Sequence, residues 1–365
     1  MSTDTTETTP PSVPIIPGIP TSPFFAVRQT PHSGRAVFAT TFIPADTLVY
    51  RATDLTLSVL LREYRREVCG WCFGYEYGRD LSVVDKTVGF AFCGENCRVK
   101  WRTEGGKVAV GVQAWMAVEK LTKGRGKEDS EMVEMDLPRP RPKEIREAWE
   151  GVKARAELIR VARMGGGNTP NTEPVVRVTN QHRKAVQKAI ADTISPDVMT
   201  FCVSGILFHY SHPDQFLNID ALACDYTPYH SADDLQAFTR TYLQLLAILP
   251  VPLLPHCTPE ILITLSQRDS HNSFGIRSLE DDGSEFFGYG CWPSASYFNH
   301  SCGPNVEKQR VGRVWEFRTG REVEEGEELC ITYLSGEERR LSRGKRMETL
   351  NRNWGFECGC ERCEL

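Results

Sequence analysis

Short hydrophobic runs of β-prone composition occupy both ends of the chain, and longer runs with helical spacing occupy its middle. Between residues 23 and 51 the short runs are separated by turns, and comparable runs return after residue 266. Their β-branched and aromatic content predicts strands at 271–276, 314–317 and 329–333. The pattern therefore predicts β segments at both ends of the chain and a helical middle, which is an α+β arrangement.

The helical spacing is clearest at residues 143–163, where four apolar residues recur on one face: Ile145, Trp149, Val152 and Ile159. Helices are also predicted from residue 113, at 181–193, at 231–249, from residue 258 and at 337–351. Residues 54–66 remain open between strand and helix. Two stretches rich in charge, proline or glycine predict surface loops: 122–142 and 164–173.

Two of these helices carry finer signals. Ser231 is a predicted N-cap, and Asp234 stands at the capping-box position, where Glu is usual. The basic residues at 339–346 lie on the last predicted helix, and we expect them to form a solvated face.

The composition is that of a globular protein, since 40% of the 365 residues are hydrophobic and 25% are charged. A net charge of −5 argues against non-specific nucleic-acid binding as the main role. No apolar run approaches the ~20 residues that a membrane-spanning helix needs. Residues 1–22 are rich in Thr, Ser and Pro and predict a disordered tail rather than a signal peptide. We therefore expect a protein of the nucleus, the cytoplasm or both, and not a secreted one.

Thirteen cysteines without a recognisable secretion signal indicate metal binding in a reducing compartment. Cys302 stands in an Asn-His-Ser-Cys-Gly-Pro-Asn segment, residues 299–305. Three further cysteines follow as C-x-C-x-x-C: Cys358, Cys360 and Cys363. Three thiols so close together, with one distant cysteine, predict a tetrahedral Cys₄ zinc site that ties the tail to the 299–305 segment. We expect the tail to be ordered only with metal. The site would then build a pocket across the junction between the tail and the 299–305 segment; a zinc site with a purely structural role is the alternative.

A second group of four cysteines is spaced as C-x₂-C and C-x₃-C: Cys69, Cys72, Cys93 and Cys97. Two such pairs form one complete tetrahedral zinc site, and a cluster of buried free thiols is the alternative. The remaining five cysteines lie in apolar surroundings, where ordinary buried thiols are expected. They are Cys202, Cys224, Cys257, Cys291 and Cys330.

The Asn-His-Ser-Cys segment and the cysteine tail together resemble the core of SET-domain protein lysine methyltransferases. In that family the segment carries the cofactor, S-adenosylmethionine, and the tail closes over it. The flanks of Cys93 and Cys97 resemble half of a MYND finger. The chain thus resembles the SET-and-MYND class of fungal type, with one of the finger's two metals and without the C-terminal helical-repeat domain of many members.

This resemblance implies a β-rich SET fold, in which small sheets surround a pseudoknot and a helical insertion interrupts them. It also implies six parts along the chain. They are a disordered tail (1–22), the first part of the SET domain (23–68), a degenerate MYND-like zinc insert (69–101), a helical insert (102–265), the second part of the SET domain (266–350) and a post-SET zinc tail (351–365).

The resemblance also implies which residues bind the cofactor. Gly34, Arg35 and Ala36 match the first cofactor loop, commonly written GRGLFA, with Ala36 in place of its second glycine. From sequence alone, a Gly-Arg turn between strands is the alternative. Phe356 matches an aromatic that stacks on adenine, although it could simply anchor the tail under the zinc.

Four residues of the later SET segment match the same pocket, namely Ser296, Tyr297, Asn299 and His300. Asn272 matches a position whose side-chain amide contacts the cofactor, and an Asn that caps a strand end is the alternative. Tyr333 matches the catalytic tyrosine. Without this context, Tyr333 would be interpreted as a buried strand aromatic with a satisfied hydroxyl.

The implied function is transfer of a methyl group from S-adenosylmethionine to a lysine of a histone or non-histone protein. Only about a thousandth of lysine side chains are neutral at pH 7.4, so an apolar channel has to favour the neutral amine. A catalytically inactive SET scaffold that binds a protein partner is the alternative. A zinc-finger nucleic-acid binder is disfavoured, because the chain is acidic and has no basic stripe. We expect a monomer with two structural zinc ions and an open substrate cleft.

Overall fold

The computed structural model describes residues 18–31, 34–104, 109–123, 137–165, 177–279 and 285–364. These ranges leave out residues 1–17 of the predicted tail and residues 32–33, just before the predicted cofactor loop. They also leave out most of the two predicted surface loops.

The strands are short, and they pair in antiparallel fashion within four small sheets. In chain order they are β1 (Phe25–Thr30), β2 (Gly34–Ala39), β3 (Leu48–Ala52), β4 (Leu57–Leu60), β5 (Val83–Asp85), β6 (Phe90–Phe92), β7 (Ser273–Arg277), β8 (Phe286–Cys291), β9 (Val306–Val311) and β10 (Val314–Thr319). The sheet orders are β1-β2, β3-β10-β9, β4-β8-β7 and β5-β6. Both three-stranded sheets combine an early strand with two late ones, which confirms the predicted α+β arrangement.

The helices lie mostly between the two sets of strands. They are α1 (Glu95–Glu104), α2 (Ala109–Thr122), α3 (Pro142–Met164), α4 (Asn180–Ala191), α5 (Pro196–Ser211), α6 (Phe216–Asp220), α7 (Ala232–Ile248), α8 (Pro259–Asn272), α9 (Arg343–Trp354) and α10 (Glu361–Glu364). In the described part of the chain, no single helix is long and apolar enough to cross a membrane. The pair α4 and α5 meets that requirement of length and hydropathy only when both are taken together, and a bend of 119° separates them.

Several predicted helices are confirmed in detail. The apolar face of α3 is buried as its spacing predicts. The hydroxyl of Ser231 caps α7 by accepting the backbone N–H of Asp234 at 3.1 Å. The Asp234 carboxylate accepts the N–H of His230 at 3.0 Å instead of the Ser231 N–H that a capping box would use.

Other predictions were wrong in their bounds or type. The 271–276 strand begins only at Ser273, because α8 continues to Asn272. Residues 329–333 do not form a strand; within them, Ile331 alone makes an isolated β-bridge, with His300. The helix predicted at 337–351 is α9, which begins at Arg343, and the short α10 follows it. The stretch 54–66, which the sequence leaves open between strand and helix, contains the strand β4 and then a short 3₁₀ helix.

Helix α5 was missed altogether. Ten of its sixteen residues are buried, and they lie on all sides of the helix. A helix that is apolar all round has no polar face, so its sequence lacks the amphipathic period that predicted the others.

The fold brings the 299–305 segment alongside residues 328–333. His300 and Ile331 form a parallel bridge, in which the Ile331 N–H donates to the carbonyl of Asn299 at 2.9 Å. On its other side this stretch meets β2, where the Leu329 N–H donates to the Val37 carbonyl at 2.8 Å. Residues from β2, the 299–305 segment and the 328–333 stretch are therefore neighbours at one place.

The side chain of Asn305 joins the 299–305 segment to the 328–333 stretch. Its side chain is buried, donates to the carbonyl of Glu328 at 2.8 Å and to the Glu327 carboxylate at 3.0 Å, and accepts the Cys330 N–H at 2.8 Å. These hydrogen bonds hold residues 328–333 in register against the 299–305 segment.

We expect Asn305→Ala to lower the free energy of unfolding by about 2–4 kcal/mol, because it leaves buried backbone groups without partners. Urea denaturation of the zinc-loaded protein measures this change. Asn353→Ala, at an exposed position of α9, is the matched control and should stay within about 0.5 kcal/mol. Equal stability of the two variants would contradict the role given to Asn305.

Candidate active site and metal centres

The tail cysteines and Cys302 converge as predicted. Their four sulfur atoms lie within 4.8 Å of one another, with Cys302 Sγ at 3.5 Å from Cys363 Sγ and 4.0 Å from Cys358 Sγ. Four thiolates at the usual Zn–S length of ~2.3 Å stand about 3.8 Å apart at tetrahedral corners. The donor set and its spacing therefore fit a zinc ion.

Arg346 supports this cluster. Its Nε is 3.4 Å from Cys302 Sγ and its Nη2 is 3.6 Å from Cys363 Sγ. Four thiolates around Zn²⁺ carry a net charge of about −2, which a neighbouring guanidinium partly offsets. Arg346 is 4% exposed, so the expectation of a solvated basic face was wrong at this position.

The second group of cysteines also converges. Cys93 Sγ lies 3.5 Å from Cys72 Sγ, 3.6 Å from Cys69 Sγ and 3.4 Å from Cys97 Sγ, and all four atoms fall within 4.8 Å. This cluster and the tail cluster are the two such groups that the described residues form. Both fit zinc by donor type and distance.

The finger that carries the second cluster packs on the turn between β9 and β10. The Arg313 guanidinium lies 4.1 Å above the Trp71 ring and donates to the Trp71 carbonyl at 3.2 Å. Arg310 lies 5.8 Å from the Phe73 ring. The finger is thus fixed to the β3-β10-β9 sheet by cation–π contacts, which make it rigid relative to that sheet. Of the five remaining cysteines, Cys224 and Cys330 are only partly buried, whereas the other three are buried as expected.

The predicted cofactor loop is anchored through its arginine. Arg35 donates to the Tyr297 hydroxyl at 2.8 Å, lies 4.6 Å from the Tyr297 ring and also donates to the Ala221 carbonyl. Gly34 has a positive φ of +68°, and no atom lies within 4 Å of where its Cβ would stand. A side chain at this position would be strained and would fill open space beside the loop.

Asn299 connects this loop to the 328–333 stretch. Its Nδ2 donates to the Arg35 carbonyl at 3.2 Å and to the Glu328 carboxylate at 2.9 Å. Ala36, the neighbour of Arg35, is fully buried in β2. The structure therefore places residues of the predicted loop and of the Asn-His-Ser-Cys segment in contact, although they are distant in sequence.

His300 faces the other side of the same site. Its Nδ1 accepts the Tyr333 N–H at 3.0 Å, and its ring lies 5.3 Å from the Tyr333 ring and 6.0 Å from the Phe356 ring. Burial, with the positive charges of Lys308 and Arg346 nearby, lowers the pKa of His300 to about 4. A neutral imidazole is consistent with its role as an acceptor.

Tyr333 is held at both ends. Its backbone N–H donates to His300, and its hydroxyl donates to the Phe298 carbonyl at 3.0 Å. Burial raises the pKa of Tyr333 above its usual value, so the phenol remains protonated at neutral pH. Its ring contacts Trp354 at 5.3 Å and stands perpendicular to Phe356 at 6.3 Å. Aromatic rings thus contact the ring of the tyrosine that the resemblance identifies as catalytic.

Asn272 and Ser296 are hydrogen-bonded to each other, and the donor groups of both side chains have partners in the protein. The Ser296 hydroxyl donates to the Asn272 carbonyl at 2.9 Å. The Asn272 amide donates to the carbonyls of Ala223 at 2.9 Å and Arg268 at 2.7 Å. Both amide hydrogens of Asn272 therefore have protein partners, and its contact with a cofactor stays a prediction.

Comparison with known proteins agrees with this geometry. A family model described as the SET domain matches residues 34–334. The chain belongs to the SET-domain family. It is 26% identical over 380 residues to the potential protein lysine methyltransferase SET6 of Saccharomyces cerevisiae, covering 94% of this chain and 95% of that protein.

Other matches cover only parts of each protein. A SET and MYND domain-containing protein of Dictyostelium discoideum is 34% identical over 104 residues, 28% of this chain and 24% of its own length. The human histone-lysine N-methyltransferase SMYD3 is 38% identical over 93 residues, 26% of this chain and 20% of its own length. These partial matches agree with the SET-and-MYND resemblance and with the Cys₄ finger.

We expect the purified protein to bind about two zinc ions per chain, and Cys302→Ser and Cys72→Ser each to lower this to about one. Metal analysis by inductively coupled plasma mass spectrometry measures the ratio. Cys330→Ser removes a cysteine outside both clusters and should leave it unchanged. A ratio near one in the unaltered protein would show that one cluster holds free thiols.

Proposed function

We propose that this protein transfers a methyl group from S-adenosylmethionine to the side-chain amine of a lysine in a protein substrate, either a histone or a non-histone protein. The observation that carries the proposal is the position of Tyr333. Its protonated hydroxyl donates to the Phe298 carbonyl, its ring contacts Trp354 and Phe356, and its backbone N–H donates to His300, two residues from a zinc-fitting cysteine.

The residues around this point fit the cofactor. The open space at Gly34 leaves the backbone of the predicted cofactor loop accessible. The Asn299 amide ties that loop to the 328–333 stretch, and Phe356 contributes an aromatic face near the His300 ring. When bound here, S-adenosylmethionine supplies an electrophilic methyl group on a sulfonium centre. The family and the relatives support the use of this cofactor by analogy.

The chain's own residues would act on the lysine. Making a lysine amine neutral at pH 7.4 costs about 4 kcal/mol in water. The rings of Tyr333, Trp354 and Phe356 exclude water and so lower the pKa of an amine that enters between them. Because the Tyr333 hydroxyl donates to Phe298, its oxygen lone pairs are free to accept an N–H from that amine. This contact orients the nitrogen lone pair, which is catalysis by positioning.

We expect the zinc-loaded protein to bind S-adenosylmethionine with micromolar affinity and Asn299→Ala to weaken binding at least about tenfold, since an amide that joins the two cofactor segments is lost. Isothermal titration calorimetry measures both constants, and circular dichroism checks that the variant is folded. Asn353→Ala should bind as the unaltered protein does. If the folded, metal-replete protein does not bind the cofactor, the enzyme proposal fails and the scaffold alternative remains.

Tyr333→Phe should separate binding from transfer. We expect its affinity for S-adenosylmethionine to stay within about threefold, while incorporation of labelled methyl groups into proteins of a cell extract falls at least about tenfold. Tyr226→Phe, at a tyrosine that is 69% exposed, is the control and should retain full incorporation. Equal incorporation by both variants would remove Tyr333 from the catalytic role.

A further inference from the structure

A lysine of the protein itself lies beside Tyr333. Lys308, in β9, donates from Nζ to the carbonyl of Thr332 at 2.8 Å. Thr332 and Tyr333 share one peptide group, whose N–H donates to His300 Nδ1 at 3.0 Å. The peptide group that leads into Tyr333 is therefore held between the Lys308 amine on one side and the His300 ring on the other.

The surroundings of this amine are aromatic. Nζ of Lys308 lies 5.3 Å from the centre of the Phe274 ring and 6.0 Å from that of Trp315. No carboxylate within the described ranges forms an ion pair with it, and the charged group that acts on it is Arg277. Burial, together with Arg277, lowers the pKa of Lys308 to about 8.

A site for a lysine substrate requires aromatic walls and a backbone carbonyl that accepts from an amine. Around Lys308 the rings are Phe274 and Trp315, which would extend the acceptor site beyond the rings of Tyr333, Trp354 and Phe356, and the accepting carbonyl is that of Thr332, next to Tyr333. A lysine that has to be neutral in order to react is favoured by a dry environment and by a positive charge nearby. An ammonium group on the wall of such a site disfavours a second, protonated amine.

We propose that Lys308 lines the acceptor site for the substrate lysine and acts there as a specificity-determining residue, since its charge repels a protonated amine and admits a neutral one. This inference rests on the proposed function, because it places the acceptor site beside Tyr333. The competing explanation is that Lys308 only fixes the Thr332–Tyr333 peptide group from outside the site.

The two explanations differ in how strongly Lys308 responds to the cofactor's charge. S-adenosylmethionine carries a positive sulfonium, whereas its product S-adenosylhomocysteine has a neutral sulfur in the same molecule. A sulfonium within ~10 Å in a partly buried site lowers a lysine pKa by about one pH unit or more. A lysine whose amine lies well beyond that distance from the sulfonium responds nearly equally to both ligands.

The experiment is an NMR titration of the full-length, zinc-loaded protein with ¹³C-labelled lysine, in the presence of each ligand in turn. Lys308→Met identifies the Lys308 resonance by its loss, and Lys308→Arg does so if the methionine variant does not fold. We expect the pKa of Lys308 with S-adenosylmethionine to lie at least about one unit below its value with S-adenosylhomocysteine. The resonance of the exposed Lys86, in the finger, should not distinguish the ligands.

Equal pKa values for Lys308 with the two bound ligands would overturn the inference and leave Lys308 as a support of the peptide group. Calorimetry on the same samples separates this result from failure of the proposed function. If neither ligand binds, the cofactor proposal itself fails, and the assignment of Lys308 falls with it.

Discussion

The parallel contact between the 299–305 segment and residues 328–333 is the constraint on which the rest of this site depends. It places the Asn299 amide against β2, the His300 ring against Tyr333 and Cys302 within reach of the tail cysteines. No single helix or sheet contains these groups. Each is brought to the site by a backbone pairing of only a few hydrogen bonds, and Asn305 adds three side-chain bonds to that pairing. The precision of the site therefore comes from hydrogen bonds between loops, supported by metal ligation, rather than from long regular elements.

Positive charges near the site are placed so that each has a distinct electrostatic environment. Arg346 faces thiols, Arg35 lies on the face of Tyr297, and Lys308 faces a carbonyl and aromatic rings. A guanidinium keeps its charge in all such settings, whereas an amine gives up its proton more readily when it is buried. This difference explains why the two arginines suit structural contacts. The lysine is the one among the three whose charge responds to its surroundings near neutral pH.

The sequence predicted the parts of this protein that depend on local pattern or on motif spacing. Both cysteine clusters and the buried face of α3 follow from such patterns, whereas the residues expected around Tyr333 came from the resemblance to the SET-domain family. It could not predict that Arg346 reaches the thiols, because its helix has the charged composition of a solvated surface and only the tertiary fold buries that one position. The 329–333 stretch has strand-like residues but pairs through isolated bridges, since it crosses another loop instead of joining a sheet. Nothing in the sequence predicted that Lys308 contacts the Thr332 carbonyl, because a lysine in a strand is ordinarily exposed.

The zinc-fitting tail has a consequence for the order of events during synthesis. Cys302 leaves the ribosome well before the three tail cysteines, yet the tail cluster needs all four in one place. The Trp354 and Phe356 rings that contact Tyr333 also emerge late. A nascent chain that has not been translated past residue 363 therefore lacks the complete cluster. With zinc at that cluster, completion of the site around Tyr333 is a late, metal-dependent step.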